Sequence, residues 1–190
     1  MIFGVVNHTL PPGLMDNAAE FYTYQQEIWC LYKSKNYLYI DFPAEILSLI
    51  DADMSKNPKA LKALYDLDIT DEDERRKQYI ACRFGRFDGA PDISVEGVVL
   101  NPEYVDCGMR GICPHEGKLC SSIVLKNGTL TPREIEVLRH IGNDLLDKEI
   151  CDVLQMANDT LRTHKDKISL KNGSTRKSAL AKLAYKYNLI

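Results

Sequence analysis

Three residues, Gln155-Met156-Ala157, separate two stretches whose apolar residues recur at helical spacing, and no other feature of the 190-residue chain restricts its folding as much. Before them, Asp147 opens a short helix with Ile150, Cys151 and Leu154 facing inward. After them, Asn158 or Asp159 opens a longer helix with Leu161, His164 and Ile168 on one face, and Asn172-Gly173 ends it. Upstream, Thr131-Pro132-Arg133-Glu134 has the form of a capping box with proline at the first helical position, followed by Ile135, Leu138 and Ile141. A fourth helix is expected over 175–187, carrying Ala179, Leu180, Leu183 and Tyr187. Residues 129–190 therefore form one four-helix domain. The turn-forming Lys126-Asn127-Gly128 separates it from an N-terminal region, 1–126.

Two short helices joined by a tight turn make a helix-turn-helix, whose second helix enters the major groove of DNA. With Leu161, His164 and Ile168 inward, Arg162, Thr163 and Asp166 point outward. Lys165 flanks them on one side, Lys167 and Lys171 on the other. Flanking lysines suit phosphates and central polar side chains suit base edges. The Arg162 fork matches guanine, and Asp166 can accept from the cytosine amino group or only pair with Arg162 one turn away. Charge agrees: residues 158–190 hold eight Lys/Arg against two Asp/Glu, on a chain of net charge −3. His164 reads as a satisfied core histidine and Cys151 as a small core residue.

The segment resembles the LuxR-type (GerE-like) DNA-binding domain. The resemblance rests on Leu130, Thr131, Pro132, Arg133, Glu134, Glu136, Val137 and Leu138, then on Leu145, Lys148, Glu149, Ile150 and Leu154. It continues in Thr160, Leu161, Arg162, His164, Ile168, Lys171 and Gly173, without a gap. It implies a four-helix domain of a bacterial transcription regulator, a recognition helix at 158–171, and a homodimer through the last helix. The candidate DNA contacts are thus Lys148, Thr160, Arg162, Thr163, Lys165, Asp166, Lys167 and Lys171. The chain departs from the family at Asp144 and Gln155, where glycine is favoured. It departs again at Ala157, where serine often caps the recognition helix; Asn158 is the expected substitute cap.

The N-terminal region is expected to be helical, so the fold class is mainly α. Phe21, Gln25, Ile28, Trp29 and Tyr32 suggest a helix over 17–36. Pro43 fits the first turn of a second, Asn57-Pro58 starts a third, and Thr70 caps a fourth that Gly85 stops. Ile2–His8 and Val95–Leu100 look like strands. Cys107, Cys113 and Cys120, with Cys82, form a cysteine-rich segment over 82–120 with the four thiols of a structural zinc site or an iron–sulfur cluster. Reduced, metal-free cysteines are the alternative, and His115 or Glu116 could replace Cys82.

No stretch approaches the ~20 consecutive apolar residues of a membrane helix, and the N-terminus lacks the features of a signal peptide. A cytoplasmic protein is expected. No glycine-rich phosphate loop or nucleophile–base pair suggests an enzyme. The leading expectation is a sequence-specific DNA-binding regulator. The alternatives are a redox- or metal-responsive sensor with an iron–sulfur cluster or labile zinc, and a sigma-factor-like module working through RNA polymerase.

Overall fold

The helix expected over 17–36 is instead a three-stranded antiparallel sheet. In the computed structural model, which describes residues 10–110, 113–187 and 189–190, β1 (Ala19–Tyr24), β2 (Glu27–Tyr32) and β3 (Lys35–Leu38) pair in sequence order. The expected strand Ile2–His8 lies outside the described residues. Tyr24 pairs with Glu27, and Tyr32 with Lys35, so each hairpin turns on two residues. Those residues, Gln25-Gln26 and Lys33-Ser34, all have positive φ, as turns that follow strand twist require. Aromatic and β-branched residues suit the pleated surface, and Phe21, Cys30 and Tyr37 stand opposite one another across it.

The chain divides into two compact units, one with residues up to Val105 together with Gly117–Ser121, the other with Asp106–Glu116 and Ser122–Ile190. In the first, the sheet runs through a short 3-10 turn, Tyr39–Asp41, into α1 (Ala44–Ser55), α2 (Pro58–Asp66) and α3 (Glu72–Phe84). Asn57 caps α2 through the Ala60 N–H at 3.2 Å. Asp71, not Thr70, caps α3, accepting from the Glu74 N–H at 2.9 Å. Gly85 closes α3. Phe21, Ile46, Ile50, Leu64, Tyr79 and Phe84 form the centre of the core. The run Val95–Leu100 contributes only an isolated bridge between Ile93 and Val99, with Val95 and Val98 exposed. The mainly α expectation thus holds for helix content, with seven α-helices among the described residues, but a small sheet underlies the first unit.

From Ser122 on, the second unit opens with a two-stranded hairpin, β4 (Val124–Leu125) and β5 (Gly128–Thr129), turning on Lys126-Asn127. Its helices are α4 (Pro132–Gly142), α5 (Asp147–Leu154), α6 (Asn158–Asn172) and α7 (Lys177–Lys186). Leu138, Ile141, Ile150, Leu161 and Ile168 are buried where these helices meet. Gly142 sets the approach of α4 to α7: a Cβ there would stand 2.6 Å from that of Ala184. No helix among the described residues is long and apolar enough to cross a membrane.

Candidate nucleic-acid interface

The start of α4 and the end of α6 are tied together by one buried carboxylate. Thr131 Oγ1 accepts from the Glu134 N–H at 3.3 Å, and Glu134 Oε2 accepts from the Thr131 N–H at 2.8 Å, closing the expected capping box. The same Glu134 oxygen accepts from Lys171 Nζ at 2.6 Å, with the Glu134 side chain 2% exposed. Burial alone would raise the Glu134 pKa. The Lys171 ammonium and the Thr131 N–H outweigh burial and hold it below the ordinary value. The hairpin turn adds to this: the Asn127 backbone N–H donates to Lys171 O, and Asn127 Nδ2 to Leu170 O, both at 3.0 Å. Two of the last carbonyls of α6 are thereby satisfied.

Between α5 and α6 the chain turns within Gln155-Met156-Ala157. Gln155 adopts the left-handed conformation at φ 48°, and Arg133 donates to the Leu154 carbonyl at the end of α5. Glu149 accepts from the Leu146 N–H at 2.7 Å, so α5 starts with half a capping box. Ala157 precedes α6 and brings no side-chain acceptor. Asn158 does not take over the cap; it is the first helical residue and accepts from the Cys151 thiol at 3.5 Å.

The two departures at glycine-favoured positions have the same cause. Asp144, at φ 58°, and Gln155 both lie in the left-handed region, where a side chain crowds the following carbonyl. Relieving that strain favours glycine, and the looser unfolded chain offsets part of the gain. Gln155→Gly is expected to stabilise the second unit by about 0.5–1 kcal/mol. A urea titration followed by far-ultraviolet circular dichroism checks this, and an unchanged or lower midpoint refutes it.

The outward face of α6 carries the expected DNA contacts. Thr160, Arg162, Thr163, Asp166 and Lys167 are exposed, as is Lys148 on α5. Arg162 and Asp166 have no hydrogen-bond or ion-pair partner among the described residues. The Thr163 hydroxyl donates to Asp159 O at 2.8 Å and keeps its acceptor capacity. Lys165 is bound to both Asp147 oxygens, at 2.8 and 2.9 Å, which braces α6 against the start of α5. Lys171 is engaged with Glu134, a role that sequence spacing did not suggest. Leu161 and Ile168 are buried as expected. His164 is half-buried, but its Nδ1 is buried without a hydrogen-bond partner, so it is not the satisfied core histidine expected.

Cys82 lies on α3, where Gln78 Nε2 stands 3.0 Å from its sulfur, and Cys107 is exposed; none of the six is in a disulfide. Among the described residues no group of three or more His, Cys, Asp or Glu is placed to hold a metal ion. A zinc or iron–sulfur reading of Cys82, Cys107, Cys113 and Cys120 thus rests on their spacing alone. The Cys113 N–H donates to Met109 O at 2.9 Å, Arg110 lies 3.6 Å from Glu116, and Leu119 enters the core of the first unit. Gly108 and Gly117, both at φ 73°, make the turns.

Capped α4, the α5–turn–α6 pair and the basic outward face define a helix-turn-helix DNA-binding domain. Residues 128–184 match the family model GerE, described as bacterial regulatory proteins of the luxR family, so the chain carries a LuxR-type domain at its C-terminus. The match stops short of the first unit. No curated protein and no solved structure matches the chain. Domains of this family are DNA-binding regulators and not enzymes, which marks the chain as a DNA-binding transcription regulator of duplex DNA.

Proposed function

We propose that the chain recognises a specific duplex sequence, with α6 in the major groove and the 158–171 face reading bases. The observation that carries this reading is the exposed face of α6, where Arg162 and Asp166 stand free of ion pairs within a basic surround. An arginine with no competing carboxylate contact keeps its fork available for the O6 and N7 of guanine. Thr160 and Thr163 can serve either base edges or phosphate, and Lys148 and Lys167 suit phosphate. Lys165 and Lys171 support the helix from within the fold while their side chains keep some exposure.

Selection from a randomised duplex pool with the full chain, at one fixed salt concentration, tests the proposal. The expected result is a recovered motif with at least one strongly preferred guanine. A pool that stays random while binding persists would mean phosphate attraction alone, and sequence readout by α6 would be excluded.

A further inference from the structure

The outer edge of β1 is covered by irregular chain, not by a strand. Ala19 N–H donates to Ile93 O and Asp92 N–H to Ala19 O, each at 2.9 Å, and Thr23 N–H donates to Gly85 O at 3.0 Å. Between these points one carboxyl group takes the place of a strand carbonyl, and two others accept from N–H groups of the covering segment. Asp92 Oδ2 accepts from the Phe21 N–H at 2.7 Å, Glu20 Oε1 from the Asp88 N–H at 2.8 Å, and Glu103 Oε1 from the Arg86 N–H at 2.8 Å. Glu20 is completely buried and Asp92 is 5% exposed. Four acids, Glu20, Asp88, Asp92 and Glu103, therefore meet in one small region. The groups facing them are the Arg86 guanidinium, 4.0 Å from Asp88, and the buried Cys30 thiol of β2.

Glu20 shows which charge state this packing accepts. Its Oε2 is buried and has no hydrogen-bond partner, and no cation pairs with it among the described residues. An ionised carboxylate in that position would leave a buried charge uncompensated, at far greater cost than a neutral carboxyl. Nearby Asp92 and Asp88 add repulsion. We propose that Glu20, Asp92 and Glu103 form a proton-binding lock that holds the 85–93 segment on the edge of β1 and loosens the first unit as the pH rises. The proposal is independent of DNA binding.

The electrostatics support this direction. Burial pushes the Glu20 carboxyl up to about 8; the Asp88 charge adds to the rise, while the Asp88 N–H and Arg86 oppose it. Burial likewise takes Glu103 up to about 8, and burial with the Glu20 charge holds Asp92 well above the carboxylate range. Folded values above unfolded ones mean that the folded unit keeps protons which the unfolded chain has released. Stability is then complete below the ordinary value of 4.5 and is lost as the pH rises through about 8.

Trp29, the chain's sole tryptophan, lies on β2 and reports on this unit alone. Urea unfolding of the full chain, followed by Trp29 fluorescence, should show an unfolding constant that rises at least about tenfold per pH unit between about pH 6 and about pH 8. Glu20→Gln, which keeps the shape and the acceptor for Asp88, should remove about tenfold per pH unit from that slope. Glu103→Gln should act likewise, and Glu27→Gln, on the exposed hairpin, should change nothing. A wild-type unfolding constant independent of pH over this window would overturn the proposal, as would a wild-type slope in both Glu20→Gln and Glu103→Gln. Carbon-13 titration of the Glu20 carboxyl in the wild-type chain decides the matter without any variant: a midpoint near 8 supports the lock, and one below about 6 refutes it.

Discussion

Lys171→Met is expected to destabilise the second unit by about 3 kcal/mol, the lower end of what removing one partner of a buried ion pair costs. The lower end applies because the Lys171 side chain is 21% exposed, whereas that of Glu134 is 2% exposed. Methionine keeps the apolar stem, whose carbons pack near Gly128, so the loss isolates the charge. The pH dependence separates this from a packing defect. In the wild type the Glu134 carboxyl is held below its ordinary value of 4.5. Its contribution is present above that value and lost as the pH falls through the lower folded one. Without Lys171, burial becomes the leading influence and raises the folded value. The variant's deficit should then shrink on acidification toward 4.5. Amide hydrogen exchange of α4 and α6, in both proteins at neutral and mildly acid pH, measures both effects. Equal protection at neutral pH would show that the pair holds nothing, and would return Lys171 to the set of phosphate contacts.

The two halves of the chain differ in how much of their folding is written locally. In the second unit the Thr131–Glu134 box, Pro132, the apolar spacing of α4 to α7 and Gly173 at φ 74° all act within a few residues of where they stand. Such signals can be read in sequence order. In the first unit the spacing of Phe21, Gln25, Ile28 and Tyr32 fits one helix as well as two short strands. The hairpin turns at Gln25-Gln26 and Lys33-Ser34 lack the glycine or asparagine that normally marks them. Strand pairing decided the outcome, and pairing joins two stretches across a turn, so neither stretch announces it alone. Of the candidate site, the exposed face of α6 followed from helical period, because opposite faces of one helix are fixed by 3.6 residues per turn. The partners of Lys165 and Lys171 did not follow, since Asp147 and Glu134 sit 18 and 37 residues away along the chain. The carboxyl cluster was invisible for the same reason: Glu20 and Asp92 meet only because the 85–93 segment returns to β1.

On α6, Arg162 and Lys167 should behave differently when each is replaced by alanine. Both are exposed, but they serve different parts of the duplex under the proposed docking. Arg162→Ala removes a bidentate donor from a base edge. The expected cost is about 1–3 kcal/mol against the preferred sequence, with the preference at one base pair lost and binding to random DNA weakened far less. Lys167→Ala removes a phosphate contact. It should weaken binding to every sequence alike and flatten the plot of log affinity against log salt by about 0.9. Asp166, one turn from Arg162 and not paired with it, supplies an internal check. If it accepts from a cytosine amino group, Asp166→Ala should lose discrimination at a second position while tightening non-specific binding. Affinities of the wild type and the three variants for the selected site and for scrambled duplex, each at several salt concentrations, measure all of these. Should Arg162→Ala weaken both duplexes by the same factor and change the salt slope as Lys167→Ala does, Arg162 is a phosphate contact. Base readout by α6 would then have to come from Thr160, Thr163 or Asp166.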